Sequence, residues 1–197
     1  MKIETLKTKK TKVPKSKINR VLNPGPVVLV TTSFKGKTNV MAASWSTPVD
    51  SDPPRIAVVI GRGSLTNEFA LKSRRFCVNV PLASLTDKVL SCGRCSGRDC
   101  DKFKLTGMTP VSGKSGSAVW VDECSAHLEC RLVDIKTAKK YDIFIGDVVS
   151  AWADRKCFSE RWLTEKPGVK LIHHLGGDQF SFSSGARTGK IFKTGKG

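Results

Sequence analysis

The chain has 197 residues, with 34 Lys plus Arg against 17 Asp plus Glu, a formal net charge of +17 and 39% hydrophobic residues. That length suits one domain, and the apolar content excludes wholesale disorder, because a chain of this size hides roughly 70% of its unfolded surface on folding. No apolar run approaches the about 18 residues of a membrane span, and the Lys-rich start lacks the apolar stretch of a signal peptide, so a soluble, cytoplasmic protein is expected.

Residues 1–20 carry eight Lys and Arg against Glu4 alone and read as a flexible basic tail. Residues 26–34 are β-branched and almost continuously apolar through their first half, and Lys35, Gly36 and Lys37 turn them into a second strand over 38–49. Pro53 and Pro54 end that strand, since proline lacks the N–H a ladder requires. A third strand is expected over 55–61 and a fourth over 75–80. Between them residues 66–73 form a short helix, with Ser64 or Thr66 as its cap and Phe69 and Ala70 facing inward. Residues 84–91 make another short helix. After a Gly/Ser-rich loop at 113–117, long strands over 124–135 and 141–153 are joined by the short link 136–139 and so pair antiparallel. Residues 179–183 give a last strand, and 186–197 a second basic tail.

The two tails hold +7 and +4 of the charge, leaving +6 for the domain over 21–185. The basicity at the ends reads as solvated tails, with a weak hold on nucleic acid or an acidic partner as the other reading. Six or seven antiparallel strands, short helices on the rim and no βαβ rhythm give a mainly β fold, a closed or partly open barrel.

No G-x-G-x-x-G follows a strand, and neither a Walker lysine motif nor G-x-S-x-G occurs, so the common dinucleotide, NTPase and hydrolase signatures are excluded. His127, His173 and His174 are the only histidines. Neighbours on a strand point to opposite faces, which speaks against a three-histidine zinc site. Gly61-Arg-Gly-Ser-Leu-Thr-Asn67 follows an apolar strand and opens a helix. Its glycines let backbone N–H groups approach an anion, and Ser64, Thr66 and Asn67 add donors: a phosphate cradle, or else a helix-capping loop that holds no ligand. In Ser96-Gly-Arg-Asp-Cys-Asp-Lys-Phe103, the residues Ser96, Arg98 and Lys102 are anion partners or else a solvated loop. Asn39, Ala43, Ser44, Trp45 and Ser46 combine small residues and one large aromatic, which suits a planar ligand lying against the backbone, although Trp45 by itself reads first as a core residue.

Seven cysteines, an odd number in a chain too large to need staples, fit a reducing compartment. Cys92, Cys95 and Cys100 fall inside the second anion patch. Plain thiols, a redox-active Cys92/Cys95 pair and a metal site all remain open, though the familiar four-ligand spacings are not met.

Seven segments, in order, resemble the flavin reductase-like family over about residues 20–185. They are Pro24-Gly-Pro-Val-Val-Leu-Val-Thr-Thr32, Asn39-x5-Trp45-Ser-Thr-Pro48, Asp52-Pro-Pro54, Ile60-Gly-Arg-Gly-Ser-Leu-Thr66, Asn79-Val-Pro81, Ser96 to Phe103, and Phe144-Ile-Gly-Asp-Val148. Flavoredoxins are the nearest-looking members. The resemblance implies an FMN-binding split barrel of Greek-key type, a homodimer with FMN near the interface. Electrons would pass from NADH, NADPH or a protein donor to free flavin, a ferric complex or a redox partner protein. A carrier without a substrate site of its own is the alternative, and a nucleic-acid-binding barrel a lesser one, since surface aromatics for base stacking are lacking. By the same resemblance Asn39 and residues 43–46 line the flavin ring, while Arg62, Ser64, Thr66 and Asn67, with Ser96, Arg98 and Lys102, hold the ribityl chain and phosphate, and main-chain N–H groups of Ser44 to Ser46 and Gly61 to Gly63 face the polar edge of the ring. Tyr141 stands where many relatives carry a histidine, and a phenol donates a hydrogen bond without titrating near neutrality. His174 is placed near the ring in the C-terminal segment, or else is an ordinary buried or surface histidine.

Overall fold

The computed structural model describes residues 13–22, 25–115, 118–186, 188 and 189. Most of both expected tails therefore lies outside the described residues, but Lys15–Lys17 form a 3-10 turn that runs into α1 (Ile18–Leu22). β1 (Val28–Phe34) and β2 (Lys37–Ala43) make a hairpin, turned at Lys35 and Gly36, both with positive φ. β3 (Ser46–Ser51) and β4 (Pro54–Val59) make the next. Then come α2 (Leu65–Ser73), β5 (Arg75–Val80), α3 (Thr86–Arg94) and α4 (Lys102–Thr106). A small ribbon of β6 (Pro110–Ser112) and β7 (Val119–Val121) precedes β8 (Ala126–Leu132), α5 (Ile135–Tyr141) and β9 (Ile143–Ala153). A final hairpin joins β10 (Ile172–Gly176) to β11 (Gln179–Phe182).

Seven strands form one antiparallel sheet in the order β2-β1-β5-β8-β9-β4-β3. This is the mainly β, seven-stranded split barrel expected from the sequence, with one correction in its wiring. Residues 38–49 are two strands, not one. β2 ends at Ala43, and after Ser44 and Trp45 the chain resumes as β3 at the opposite edge of the sheet. Three residue steps reach at most roughly 10 Å, so the two edges are drawn together there and the sheet curls into a barrel with a seam at Ser44–Trp45. The Trp45 carbonyl accepts the Val59 N–H at 2.9 Å, pinning the seam to β4.

A second correction concerns the link between β8 and β9. They pair antiparallel as expected, but residues 136–139 belong to helix α5. Asp134 caps it, its carboxylate accepting the Thr137 N–H at 2.9 Å and the Thr137 hydroxyl at 2.6 Å.

β1 buries both faces, which is why it reads as a near-continuous apolar run. Val28 and Val30 point into the barrel with Val58, Phe76, Val78, Cys130, Leu132 and Phe144, closed off by Ala70 of α2 and Ala138 of α5. Val27, Leu29 and Val40 face outward beneath Val89 and Cys92 of α3, Phe103 of α4 and Val121 of β7. Inside the barrel Gly146 lets the Phe76 ring pass: a Cβ there would lie 2.7 Å from Phe76 Cζ and 2.9 Å from Cys130 Cβ. Gly146→Ala is therefore expected to cost about 2 kcal/mol through overpacking, visible as a lower denaturant midpoint at unchanged slope.

Three polar groups lie buried between β5, β8 and the small ribbon. Asn79 donates to the Leu29 carbonyl and Thr31 Oγ1, both at 3.0 Å, and its Oδ1 accepts the Val121 N–H at 3.0 Å. His127 stacks flat on Trp120, with centroids 4.3 Å apart, and its Nδ1 meets Asn79 Oδ1 at 2.9 Å. Glu129 accepts from Trp120 Nε1 at 3.0 Å and from the Ser115 N–H at 3.3 Å. These bonds fix the ribbon against the sheet, and no helix among the described residues is long and apolar enough to cross a membrane.

Candidate functional site

The N-terminus of α2, the far half of β2 and the loop from α3 to α4 converge on a cavity of about 400 Å³ lined by Asn39, Met41, Ala42, Gly63 to Thr66, Cys92 to Gly97 and Lys102. Ser64 caps α2 as the sequence predicts, its Oγ accepting the Asn67 N–H at 3.1 Å. Thr66 Oγ1 accepts from Asn39 Nδ2 at 2.7 Å, and Ser96 Oγ accepts the Arg98 N–H at 3.1 Å. All three hydroxyls are thus occupied as acceptors and keep their O–H protons for whatever enters the cavity. The first N–H groups of α2 add to them, since a helix start leaves its own donors unpaired.

Lys102 completes the set. It is 6% exposed, its ammonium donates to the Cys92 carbonyl at 2.6 Å, and among the described residues no carboxylate pairs with it. Burial depresses its pKa below that of an ordinary lysine. A buried cation without a counter-charge is costly, and a ring of donors without an acceptor fits an anion with several oxygens.

Ala42, Gly93 and Arg94 also wall a second cavity of about 320 Å³, lined further by Val27, Ala43, Ser44, His174 and Phe180. This end is small-residue and apolar, suited to a flat ring. His174 Nε2 lies 3.1 Å from the Gly177 carbonyl and its ring leans on Phe180. Arg94, at the end of α3, pairs with Asp178 in the β10–β11 turn. Beyond Ser44 a third hollow opens along the barrel seam, where Trp45, 48% exposed, and Ser46 lie beside Leu22 and Ile143. Trp45 is not core.

Gly61, Arg62, Asn67 and Tyr141 do not line the cavities just described. Arg62 reaches to the end of α5, donating to the Lys139 carbonyl at 2.8 Å and pairing with Asp142 at 3.3 Å. The Asn67 side chain is buried on the Ile60 carbonyl at 2.6 Å. Tyr141 is exposed at the end of α5 with Lys140 over its ring. Arg98 flanks the cleft but is bound to Glu68 at 2.7 Å, and together with Lys72 it holds the Glu68 carboxyl below its usual range. Of Arg62, Arg94, Arg98 and Lys102, Lys102 alone lacks an acidic partner among the described residues.

The cysteines differ both from plain thiols throughout and from a Cys92/Cys95 pair. Cys95 is bonded to Cys100, while Cys92 is buried as a free thiol whose pKa burial pushes up to about 11. Among the described residues no cluster of three metal-ligating side chains forms.

A family model for the flavin reductase like domain matches residues 20–175. The chain belongs to the flavin reductase-like family. Within this family it is 39% identical over 175 residues to the uncharacterized Escherichia coli protein YddH, covering 86% of this chain and 92% of that one. An FMN-binding domain of a flavin reductases-like enzyme from Shewanella baltica superposes with a TM-score of 0.81 at 31% identity, covering 90% of this chain and 96% of that one. Flavoredoxin from Methanosarcina acetivorans gives 0.76 at 26% identity, covering 96% and 98%.

In this flavin reductase-like chain the sequence did not point to Ala42, Gly93, Arg94, Gly97 or Phe180. Gly93 carried a usable signal, because a glycine inside a helix costs about 1 kcal/mol relative to alanine and so points to a special position, although a Cβ there would meet Ala42 Cβ only at 3.7 Å. Gly97 packs against Asn39 so closely that a Cβ would fall 2.0 Å from Asn39 Oδ1. Gly97→Ala is expected to push the Asn39 amide off Thr66 and weaken ligand binding by about tenfold, the loss of one buried hydrogen bond. A ligand titration beside a thermal melt checks that the effect is on the site.

Proposed function

We propose that the chain binds FMN in this cleft and acts as an oxidoreductase of the flavin reductase or flavoredoxin type, taking electrons from NADH, NADPH or a protein donor and passing them to free flavin, a ferric complex or a partner protein. The observation that carries the reading is Lys102, buried and lacking an acidic partner, amid Ser64, Thr66 and Ser96, whose hydroxyl protons are uncommitted. This donor set fits a phosphate dianion. Lys102, Ser64, Thr66, Ser96 and the start of α2 would hold the phosphate and ribityl chain, with Asn39 fixing Thr66. Ala42, Ala43, Ser44 and His174 would bound the ring, with Trp45 and Ser46 beyond it at the seam. FMN, when bound, supplies hydride and single-electron transfer, chemistry that no side chain here has. The protein's part is to bind, orient and screen from water.

The same reading includes a homodimer in the cytoplasm. Half-exposed Trp45, Val49, Val149 and Trp152 give it apolar surface to bury.

Titration of the purified protein with FMN, followed by flavin fluorescence, is expected to show saturation at one per chain, and an unchanged signal would sink the reading. Anaerobic addition of NADH and then NADPH to the loaded protein is expected to bleach the flavin with one of them. Steady turnover with excess free flavin marks a reductase, whereas retained FMN with slow turnover marks a carrier.

A further inference from the structure

We propose that Cys95 and Cys100 form a thiol–disulfide exchange site for a dithiol reductant, whose state sets how tightly the phosphate end of the cleft holds its ligand. The inference rests on the FMN reading for the identity of that ligand. The bonded pair closes the loop between α3 and α4, and this loop is one wall of the cleft. Cys95, Ser96 and Gly97 line the phosphate-side cavity, while Cys100 lines a neighbouring hollow on the other side with Arg98 and Lys102.

Apart from the disulfide, the loop is held to the body by little. Gly97 rests on Asn39, and Arg98 reaches Glu68 at 2.7 Å and the Gly63 carbonyl at 3.4 Å. Exposed ion pairs of this kind contribute little. The covalent link is therefore the main tie on the loop that carries Ser96, whereas Lys102 and the start of α4 are also held by the Cys92 carbonyl at 2.6 Å and by buried Phe103.

Both cysteines are partly exposed, so a reductant can reach them. The free thiols cannot substitute for it. Cys77, Cys92, Cys124, Cys130 and Cys157 are buried, and Cys92, one helical turn before Cys95, is held protonated by its surroundings. The attacking species in disulfide exchange is a thiolate, so exchange here is with a thiol from outside the chain.

The step balances. One thiolate of the reductant attacks a protein sulfur, the Cys95–Cys100 bond breaks, and the released cysteine takes up a proton. The second thiolate of the reductant then displaces the other protein sulfur, which is protonated in turn. The dithiol leaves as a disulfide, and the protein pair has gained two electrons and two protons. The opened loop has more conformations, and binding must then order them, which lowers affinity.

The test uses the full chain, air-oxidised or treated with dithiothreitol, and FMN as the probe. Alkylation read by mass spectrometry is expected to label Cys95 and Cys100 only after reduction. The FMN dissociation constant is expected to rise about tenfold on reduction. Cys95→Ser and Cys100→Ser, each alone, should bind with the weaker affinity and ignore the reductant. Trypsin, which cuts after Arg98 within the loop, should cut faster in the reduced protein whether or not FMN is present. Full labelling of both cysteines before reduction overturns the proposal, as do equal FMN affinities in the two forms. FMN bound by neither form sinks the FMN reading and the affinity effect with it, while labelling and cleavage still judge the exchange site.

Discussion

Replacing Lys102 with methionine is expected to weaken FMN binding by about 100-fold and to leave the unliganded protein as stable as before, or more so. The two effects have opposite signs because the same charge is a cost without ligand and an asset with it. Hydrogen bonds to charged groups are worth roughly 1.5–3 kcal/mol, and about 1.4 kcal/mol is a factor of ten in affinity, so losing the one buried ammonium facing a phosphate removes about two decades. Without ligand, that ammonium sits at 6% exposure on a single carbonyl, and methionine fills similar space without a charge to desolvate. Proton linkage gives an independent readout. Burial lowers the Lys102 pKa from 10.5, so in the window below 10.5 the unfolded chain holds the proton more firmly than the folded one. The unliganded protein therefore gains stability from this group as pH rises through the window. FMN binding runs the other way: as the ammonium loses its proton, at lower pH than an ordinary lysine would, affinity falls. Fluorescence titrations across alkaline pH, with thermal melts of both proteins, check all three expectations. Unchanged affinity in Lys102→Met would place the phosphate elsewhere.

The cradle was legible where its chemistry is local. Ser64 caps α2 because a hydroxyl three residues ahead of Asn67 needs nothing beyond its own turn, and the glycines and hydroxyls around it follow from the same short stretch. Which cation serves the cleft was not legible. Arg62, Arg98 and Lys102 are equivalent in the sequence, and they are sorted by partners far along the chain: Asp142 takes Arg62 and Glu68 takes Arg98. The break at Ser44–Trp45 was hidden for a similar reason. Nothing in the local pattern stops a strand there, and it ends because the barrel's two edges meet. Helix α5 did carry a signal, Asp134 as a cap with Lys139 and Lys140 in the last turn, but its seven residues are too few for periodicity to outweigh the β-rich flanks.

The buried histidine is expected to set the acid limit of the fold. Asn79 Oδ1 already accepts the Val121 N–H, and its Nδ2 donates to the Leu29 carbonyl, so the amide cannot turn over. His127 Nδ1, 2.9 Å from that oxygen, must therefore carry the proton of a neutral ring. Asp122, Glu129 and a bond to the Cys124 backbone favour a charged ring, yet burial against Trp120 outweighs them, and the pKa falls to about 4 from 6.5. Between those values the unfolded chain binds the proton that the folded chain refuses. The stabilisation is complete above pH 6.5 and is lost as pH falls towards 4, by up to about 3 kcal/mol. For a chain of this length that corresponds to a melting temperature lower by roughly 6–12 °C. His127→Asn cannot ionise. Whatever its stability at neutral pH, its melting temperature should fall less steeply over this interval than that of the native chain. Parallel losses in the two proteins would mean that His127 takes up its proton without unfolding, and that the acid limit is set by the carboxylates instead.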